Sequence, residues 1–369
     1  MQEIKKRRIV IASVLKPVDD SRMFEKIGRS LASVHEVHVI GFGSQTSIQP
    51  SSPALHSIGE FPRISVKRIV APWRILRLTL KLKPDILIVC THELIVQALI
   101  ARLFTGCRVW YDVQENYSAN ILHTNTFPRL LRPLIAAYVR IKERFASPFI
   151  ERFLLAEASY HQEMPYLRDG IVLENKVRRE LAKPRPEKPT RTVGDNSTRL
   201  VFTGTLSEST GVYAAIEMAV ELHKIDSGVT LTIIGFCPRS RDVERLRATC
   251  LENPFIILKG GDRLIPHRDV LEEISQSDFG MITYPRNPST WDSIPTKLYE
   301  YLGMKLPIIM VANSKWLLLA ERYTAAVAVD FENFAASAVI AQMRSINFYT
   351  ADPEEVYWES EEEKLLNLA

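Results

Sequence analysis

Along the chain, short runs of apolar, β-favouring residues alternate with longer stretches in which apolar side chains recur every three or four positions. The runs are 8–14, 37–41, 86–90, 108–112, 153–156 and 171–174 in the first half, and 200–203, 230–234, 255–259, 279–283, 307–311 and 326–329 in the second. Most are apolar at consecutive positions, the pattern of strands covered on both faces of a parallel sheet. The stretches between them, such as 24–33 and 94–104, have the spacing of amphipathic helices. Strand and helix alternating in this way predict an α/β protein with doubly wound sheets.

The alternation pauses once. Residues 176–199 contain Pro184, Pro186 and Pro189 followed by a polar tail, and read as a linker between two domains. At 369 residues the chain exceeds one ordinary hydrophobic core. The expected organisation is therefore a domain over 1–175, a linker over 176–199, a second domain over 200–350, and a closing amphipathic helix over 351–369 carrying Trp358, Leu365 and Leu366. In doubly wound sheets ligands sit at the carboxyl ends of the strands, so two such domains facing each other are expected to form a cleft. The basic, apolar start (Lys5 to Arg8, then Ile9 to Leu15) reads as a buried first strand rather than a secretion signal, because the run stops at Lys16-Pro17 without a small-residue cleavage motif.

Composition narrows the class. With 46% hydrophobic and 24% charged residues, 15 glycines and 21 prolines, disordered and collagen-like chains are excluded. No uncharged apolar stretch reaches the ~18 residues of a membrane-spanning helix. The four cysteines form no Cys-x-x-Cys pair, which fits a reducing cytoplasm. Charge is uneven: residues 1–180 hold 27 Lys and Arg against 17 Asp and Glu, and 181–369 hold 20 against 26, so the halves carry +10 and −6. Two basic segments, 63–83 and 129–152, interleave cations with apolar and aromatic residues. That pattern fits two readings equally, a helix lying on an anionic membrane surface, here the inner face of the plasma membrane, or a solvated helix packed on its own domain. No nucleic-acid-binding motif is present.

Two segments carry candidate chemistry. Residues 200–211 run from a strand through Gly204, Thr205, Ser207, Ser209 and Thr210 into a helix, an arrangement that suits an anion at the helix start and equally an ordinary capping loop. Residues 292–303, Asp-Ser-Ile-Pro-Thr-Lys-Leu-Tyr-Glu-Tyr-Leu-Gly, place Pro295 at a helix start and put Lys297 and Glu300, three apart, on one face. Lys297 can neutralise a phosphate, while Glu300 and Asp292 can accept hydrogen bonds from sugar hydroxyls. A solvated, salt-bridged helix start would share the pattern.

The order of these segments resembles the group 1 (family 4) glycosyltransferases of GT-B fold, over nearly the whole chain. Supporting segments are Asp20-Ser21-Arg22, similar to the family's Asp-x-Arg; Tyr111 to Asn116, similar to its Tyr-Asp-x-His-Glu; and Tyr357-Trp358-Glu359 with Leu365-Leu366, similar to its last helix. The resemblance implies a fold of two Rossmann-like domains and retaining sugar transfer from a nucleotide sugar, with UDP or GDP as carrier, to a glycan or lipid-linked acceptor in polysaccharide assembly. It further implies that Glu300 binds the ribose, Asp292 the transferred sugar, and Gly204, Thr205, Ser207, Thr210 and Lys297 the diphosphate region. Asp262, Arg263 and Leu264 stand where the base is held, Ser293, Ile294, Pro295 and Thr296 complete the donor side, and Arg22, His92 and Gln114 lie on the acceptor side with Glu115 as a catalytic candidate. No cofactor and no metal are implied, in keeping with the lack of an Asp-x-Asp triplet.

The chain departs from the family pattern at several points. Thr205 and Thr210 stand where the family carries cations, Gln114 replaces a His, the first acid is Asp292 rather than Glu, and the first loop lacks a Gly-Gly turn. The diphosphate charge then falls to Lys297, Lys16, Arg22 or Arg286 and backbone N–H groups, or the site is weak or inactive. A non-catalytic partner in glycan assembly and a nucleotide-sugar epimerase are the rival readings.

Overall fold

The structure, a computed structural model, describes residues 5–43, 53–61, 65–124, 127–183 and 197–369. It divides into two compact units, one of residues 1–175 with 358–369, the other of 176–357. Each is a parallel sheet with helices on both faces.

In the first unit, β1 (Arg8–Pro17) is followed by a helical segment, Ser21–Gly28, that continues as α1 (Arg29–Ala32). Then come β2 (Glu36–Phe42), β3 (Ala54–Ser57), α2 (Val66–Leu82), β4 (Ile86–Val89), α3 (Ile95–Thr105), β5 (Arg108–Val113), α4 (Tyr117–His123), α5 (Arg132–Ala146), β6 (Arg152–Leu155), α6 (Tyr160–Glu163) and β7 (Ile171–Val172). The strands lie in the order β3-β2-β1-β4-β5-β6-β7, all parallel. Strand order reverses between β1 and β4, which opens a crevice at their carboxyl ends. All six expected strands of this half are present; β3 was not expected, because Ala-Leu-His-Ser carries no β-branched residue and only edges the sheet.

The second unit runs β8 (Thr198–Thr205), α7 (Val212–Ile225), β9 (Val229–Phe236), α8 (Ser240–Glu252), β10 (Ile256–Gly261), α9 (His267–Gln276), β11 (Phe279–Ile282), α10 (Thr296–Gly303), β12 (Ile308–Val311), α11 (Ser314–Glu321), β13 (Ala326–Val329) and α12 (Ala336–Ser345). Its sheet is β10-β9-β8-β11-β12-β13, again parallel, with the reversal between β8 and β11. After this unit the chain returns to the first one. Trp358, fully buried, donates its indole N–H to Ser30 Oγ at 2.9 Å, and α13 (Glu359–Leu366) sets Leu365 among Ile9, Ile11, Met23 and Ile27.

Two expected boundaries are corrected. Of the expected linker, 184–196 lie outside the described residues, but 176–183 are packed structure: Val177 pairs with Tyr357, Ala182 is buried, and Arg179 lies over the Tyr357 ring at 4.0 Å. The closing segment joins the first unit at Trp358 rather than at 351, because Val356 and Tyr357 belong to the second unit's core. None of the described helices is long and apolar enough to cross a membrane.

In the helical segment Ser21–Gly28 the first unit holds one member of a buried ion pair. Arg22 is 2% exposed; its Nη2 reaches Asp112 Oδ1 at 2.7 Å, its Nε reaches both carboxylate oxygens at 3.0 Å, and its Nη1 donates to Leu173 O at 2.8 Å. Burial opposes the Arg22 charge, yet Asp112 outweighs it and the guanidinium titrates above its ordinary value. Asp112→Ala, which leaves a buried guanidinium without its counter-ion, is expected to destabilise the first unit by about 3–5 kcal/mol in urea unfolding, and adding Arg22→Met should recover most of that loss.

Candidate functional site

At the strand-order reversal of the second unit, β8 ends in Gly204 and Thr205. Gly204 has φ 100°, and it lies against Gly235 of β9, where any Cβ would stand 1.7 Å from Gly204 O. The chain then makes a short turn over Glu208–Thr210 and enters α7 through Gly211, at φ 81°, where a Cβ would collide with Thr283 O. This loop is braced internally. Thr210 Oγ1 donates to Thr205 O at 2.7 Å and accepts from the Ser207 amide at 3.2 Å, while Ser207 Oγ pairs with Ser209 Oγ at 2.9 Å. The Thr210 hydrogen, expected to be offered to a ligand, is thus committed to the loop's own shape.

Opposite the loop stands α10, in which every residue from Lys297 to Gly303 is buried. Tyr301 fixes it to β8 through its hydroxyl and Thr203 Oγ1, 3.1 Å apart, and its ring fills the space above Gly280. Lys297 consequently points along β8 toward Gly204, whose added Cβ would lie 3.9 Å from Nζ. Lys297 is 6% exposed; its ammonium, fully buried, sits 4.0 Å from the Phe202 ring centroid and 5.2 Å from that of Tyr284, and makes no hydrogen bond. Burial pushes its pKa down to about 7, although Glu300 pulls the other way. A desolvated cation without a hydrogen-bond partner is costly, which is why the ammonium gives up its proton far more readily than an exposed lysine does.

Glu300, also buried, places Oε1 2.9 Å from His267 Nε2 at the first turn of α9. His267 was not singled out from the sequence, because the contact joins positions 33 apart. It fixes the orientation of the carboxylate. Asp262, Arg263 and Leu264 lie exposed on the loop that leads into α9, and Asp262 pairs with Arg247.

Asp292 is placed differently from Lys297 and Glu300. Its carboxylate, 60% exposed, is held by Lys315 Nζ of α11 at 2.7 Å. Ser293 O accepts from Trp316 Nε1 at 2.8 Å, Ile294 packs against the core around α10, and Pro295 and Thr296 open that helix. Arg286 lies over Trp291 at 5.2 Å.

In the first unit, groups at the carboxyl ends of β1, β4 and β5 are largely matched with one another. Lys16 Nζ lies 4.0 Å from Asp20, Gln114 Nε2 donates to Asp112 Oδ2 at 2.8 Å, and Glu115 Oε2 accepts from Asn120 at 2.9 Å. Arg22, expected on the acceptor side, is buried, with Nε, Nη1 and Nη2 directed to Asp112 and Leu173 O. His92 Nδ1 accepts from Lys142 Nζ at 2.9 Å and its ring meets Tyr117 edge-on. Burial, with Lys142 and Arg68 adding to it, holds His92 down at about 4 despite Glu93, so the imidazole is neutral at physiological pH.

Solved structures with this architecture exist. Sucrose-phosphate synthase of Thermosynechococcus elongatus is similar over 98% of this chain and 98% of its own, at 12% identity and a TM-score of 0.72. HepE of Anabaena, solved with UDP-glucose, is similar over 98% and 99%, at 12% identity and 0.67. A UDP-forming α,α-trehalose-phosphate synthase of Burkholderia xenovorans follows at 98% and 98%, 13% and 0.62. The fold is GT-B. No protein-family model matches the chain, nor does any curated protein sequence. Within this GT-B chain, Lys297 and Glu300 lie near the carboxyl end of the central strand β8, where doubly wound sheets bind ligands.

The unmatched lysine has a measurable signature. Its folded pKa lies below its unfolded value of 10.5, so between about pH 7 and pH 10.5 the unfolded chain binds more protons and stability rises with pH, by roughly 1.4 kcal/mol per unit at most. Urea unfolding at pH 7 and pH 9 should therefore show the wild type gaining on the order of 2 kcal/mol relative to Lys297→Met, with the variant the more stable at pH 7.

Proposed function

We propose that the chain is a retaining glycosyltransferase, moving a sugar from a nucleoside-diphosphate sugar, with uridine or guanosine as base, to a glycan or lipid-linked acceptor. The observation that carries this reading is the Lys297 ammonium, buried, unbonded and aimed at Gly204, next to a buried carboxylate oriented by His267. A diphosphate supplies the anion that Lys297 lacks, and a ribose supplies vicinal hydroxyls for Glu300. The GT-B neighbours named above add support, one solved with UDP-glucose and another described as UDP-forming.

As the sugar leaves, negative charge grows on the departing diphosphate, and stabilising it is the main demand on the protein. A low-dielectric setting makes one ammonium effective in that task. Lys297 therefore takes over from the cations that Thr205 and Thr210 replace, and the transfer runs without a metal or other cofactor. Asp292 binds the transferred sugar once it exchanges Lys315 for a hydroxyl. The acceptor is served by the first unit, through Glu115, Gln114 and His92 at its strand ends.

The first test is thermal stability against a panel of UDP-, GDP-, ADP- and TDP-sugars. A donor at ~100 times its dissociation constant stabilises by about 2.7 kcal/mol, a shift of a few degrees. One base family is expected to shift the wild type and not Glu300→Ala. No shift with any donor would instead favour a non-catalytic partner, a reading that the replaced cations and the Lys315-bound Asp292 support. A new nucleotide sugar formed without acceptor would mark an epimerase.

Affinity should also depend on pH. Only the ammonium form of Lys297 complements a diphosphate, so the affinity of UDP, followed by calorimetry, is expected to fall as pH rises above 7, approaching tenfold per unit. A flat profile between pH 7 and 9 would contradict the role given to Lys297.

A further inference from the structure

In a helix on the surface of a globular domain the large apolar side chains face inward. α5 does the reverse. Its buried positions are Ala136, Val139, Glu143 and Ala146, and the Glu143 carboxylate accepts from Tyr111 Oη at 2.8 Å and Tyr166 Oη at 2.7 Å. Its outer stripe is Leu134, Tyr138, Ile141 and Phe145, exposed by 70, 62, 53 and 76%. α3 packs between α2 and α5 and adds Leu103 and Phe104 to the exposed apolar groups, and α2 adds Ile69, Val70 and Trp73. Scattered surface hydrophobes need no explanation, but a continuous helical stripe with aromatic neighbours does.

The charge of the same layer says what covers it. The sequences of α2, α3 and α5 contain a single acid, Glu143, and it is turned inward. Their exposed cations include Lys67, Arg74, Arg77, Lys81, Arg102 and Arg144. A twofold contact between copies would set this patch against itself, cation facing cation with no acid to pair. Nucleic acid would leave the apolar stripe without use. A surface presenting anionic headgroups above acyl chains satisfies both features, with the apolar stripe entering the interface and the arginines and lysines meeting phosphates. Trp73 and Tyr138 are residue types that settle at that depth.

We infer that the first unit docks on an anionic lipid bilayer through the outer face of α5, α3 and α2. Of the two readings open for segments 63–83 and 129–152, the membrane surface is the one the side-chain placement favours. The inference does not rest on the donor reading, since it uses no residue of the second unit.

The test is flotation of the full chain with phosphatidylcholine vesicles, with and without phosphatidylglycerol. The wild type is expected to float only with the anionic vesicles. Partitioning should drop by roughly tenfold or more in Leu134→Ser/Ile141→Ser/Phe145→Ser, and likewise in Arg74→Glu/Arg77→Glu/Arg144→Glu. All six positions are exposed except where Arg74 also touches Ile58 O, and an unchanged circular dichroism spectrum checks the fold of both variants. Independently of them, wild-type tryptophan emission should shift to the blue on adding anionic vesicles, and Trp73→Phe should remove that shift. Failure of the wild type to float with anionic vesicles overturns the proposal. So does undiminished binding by the apolar variant, which would leave adsorption by charge alone. A lipid-free dimer that the apolar variant dissociates, with vesicles left unbound, would assign the face to a second copy instead.

Discussion

Burying α10 on every side leaves Lys297 nowhere to take its charge, and much of the second unit is arranged around that constraint. The helix is pinned to β8 by the Tyr301 and Thr203 hydroxyls. Gly280 leaves room for the Tyr301 ring, and Gly204 and Gly235 leave the strand ends bare where the ammonium points. Two aromatic faces and the Glu300 charge partly replace lost hydration, but neither supplies a hydrogen bond. The cost of that burial is met by the packing of α10 and shows in the lowered pKa of the ammonium.

The first unit shares the strand order, extended by one further strand, β7, but not the electrostatics. At its own strand-order reversal the charges are largely matched internally: Arg22 by Asp112, Lys16 by Asp20, and Glu115 by the Asn120 amide. Such a surface has less to gain from a strongly charged ligand. Its exposed cations lie instead on α2, α3 and α5. The two units thus differ in where they leave charge unpaired.

Much of this was legible in the sequence. Consecutive apolar runs marked twelve of the strands, because a strand covered on both faces needs apolar residues at every position; β3 escaped as a short edge strand with half-exposed residues. The spacing of Lys297 and Glu300 put them on one helix face, a local property that one turn of helix guarantees. Contacts that join distant positions were not legible. His267 reaches Glu300 across 33 residues, Lys315 holds Asp292 across 23, and Asp112 takes up Arg22 across 90. Periodicity also found the apolar stripe of α5 without saying which way it faced. Only packing shows that small residues and a hydrogen-bonded Glu143 fill the inner side.

The return of the chain to its first unit bears on how the protein is made. Trp358 and Leu365 fill space beside Ile9, Ile11, Met23 and Ile27, so one face of the first sheet stays open until residues 358–366 have been made. The second unit is continuous in sequence from 176 to 357 and can close before the first does. During synthesis the earlier half therefore waits for the later one, with the apolar residues that Trp358 and Leu365 cover still exposed, and that interval is when the nascent chain most depends on being shielded from its neighbours.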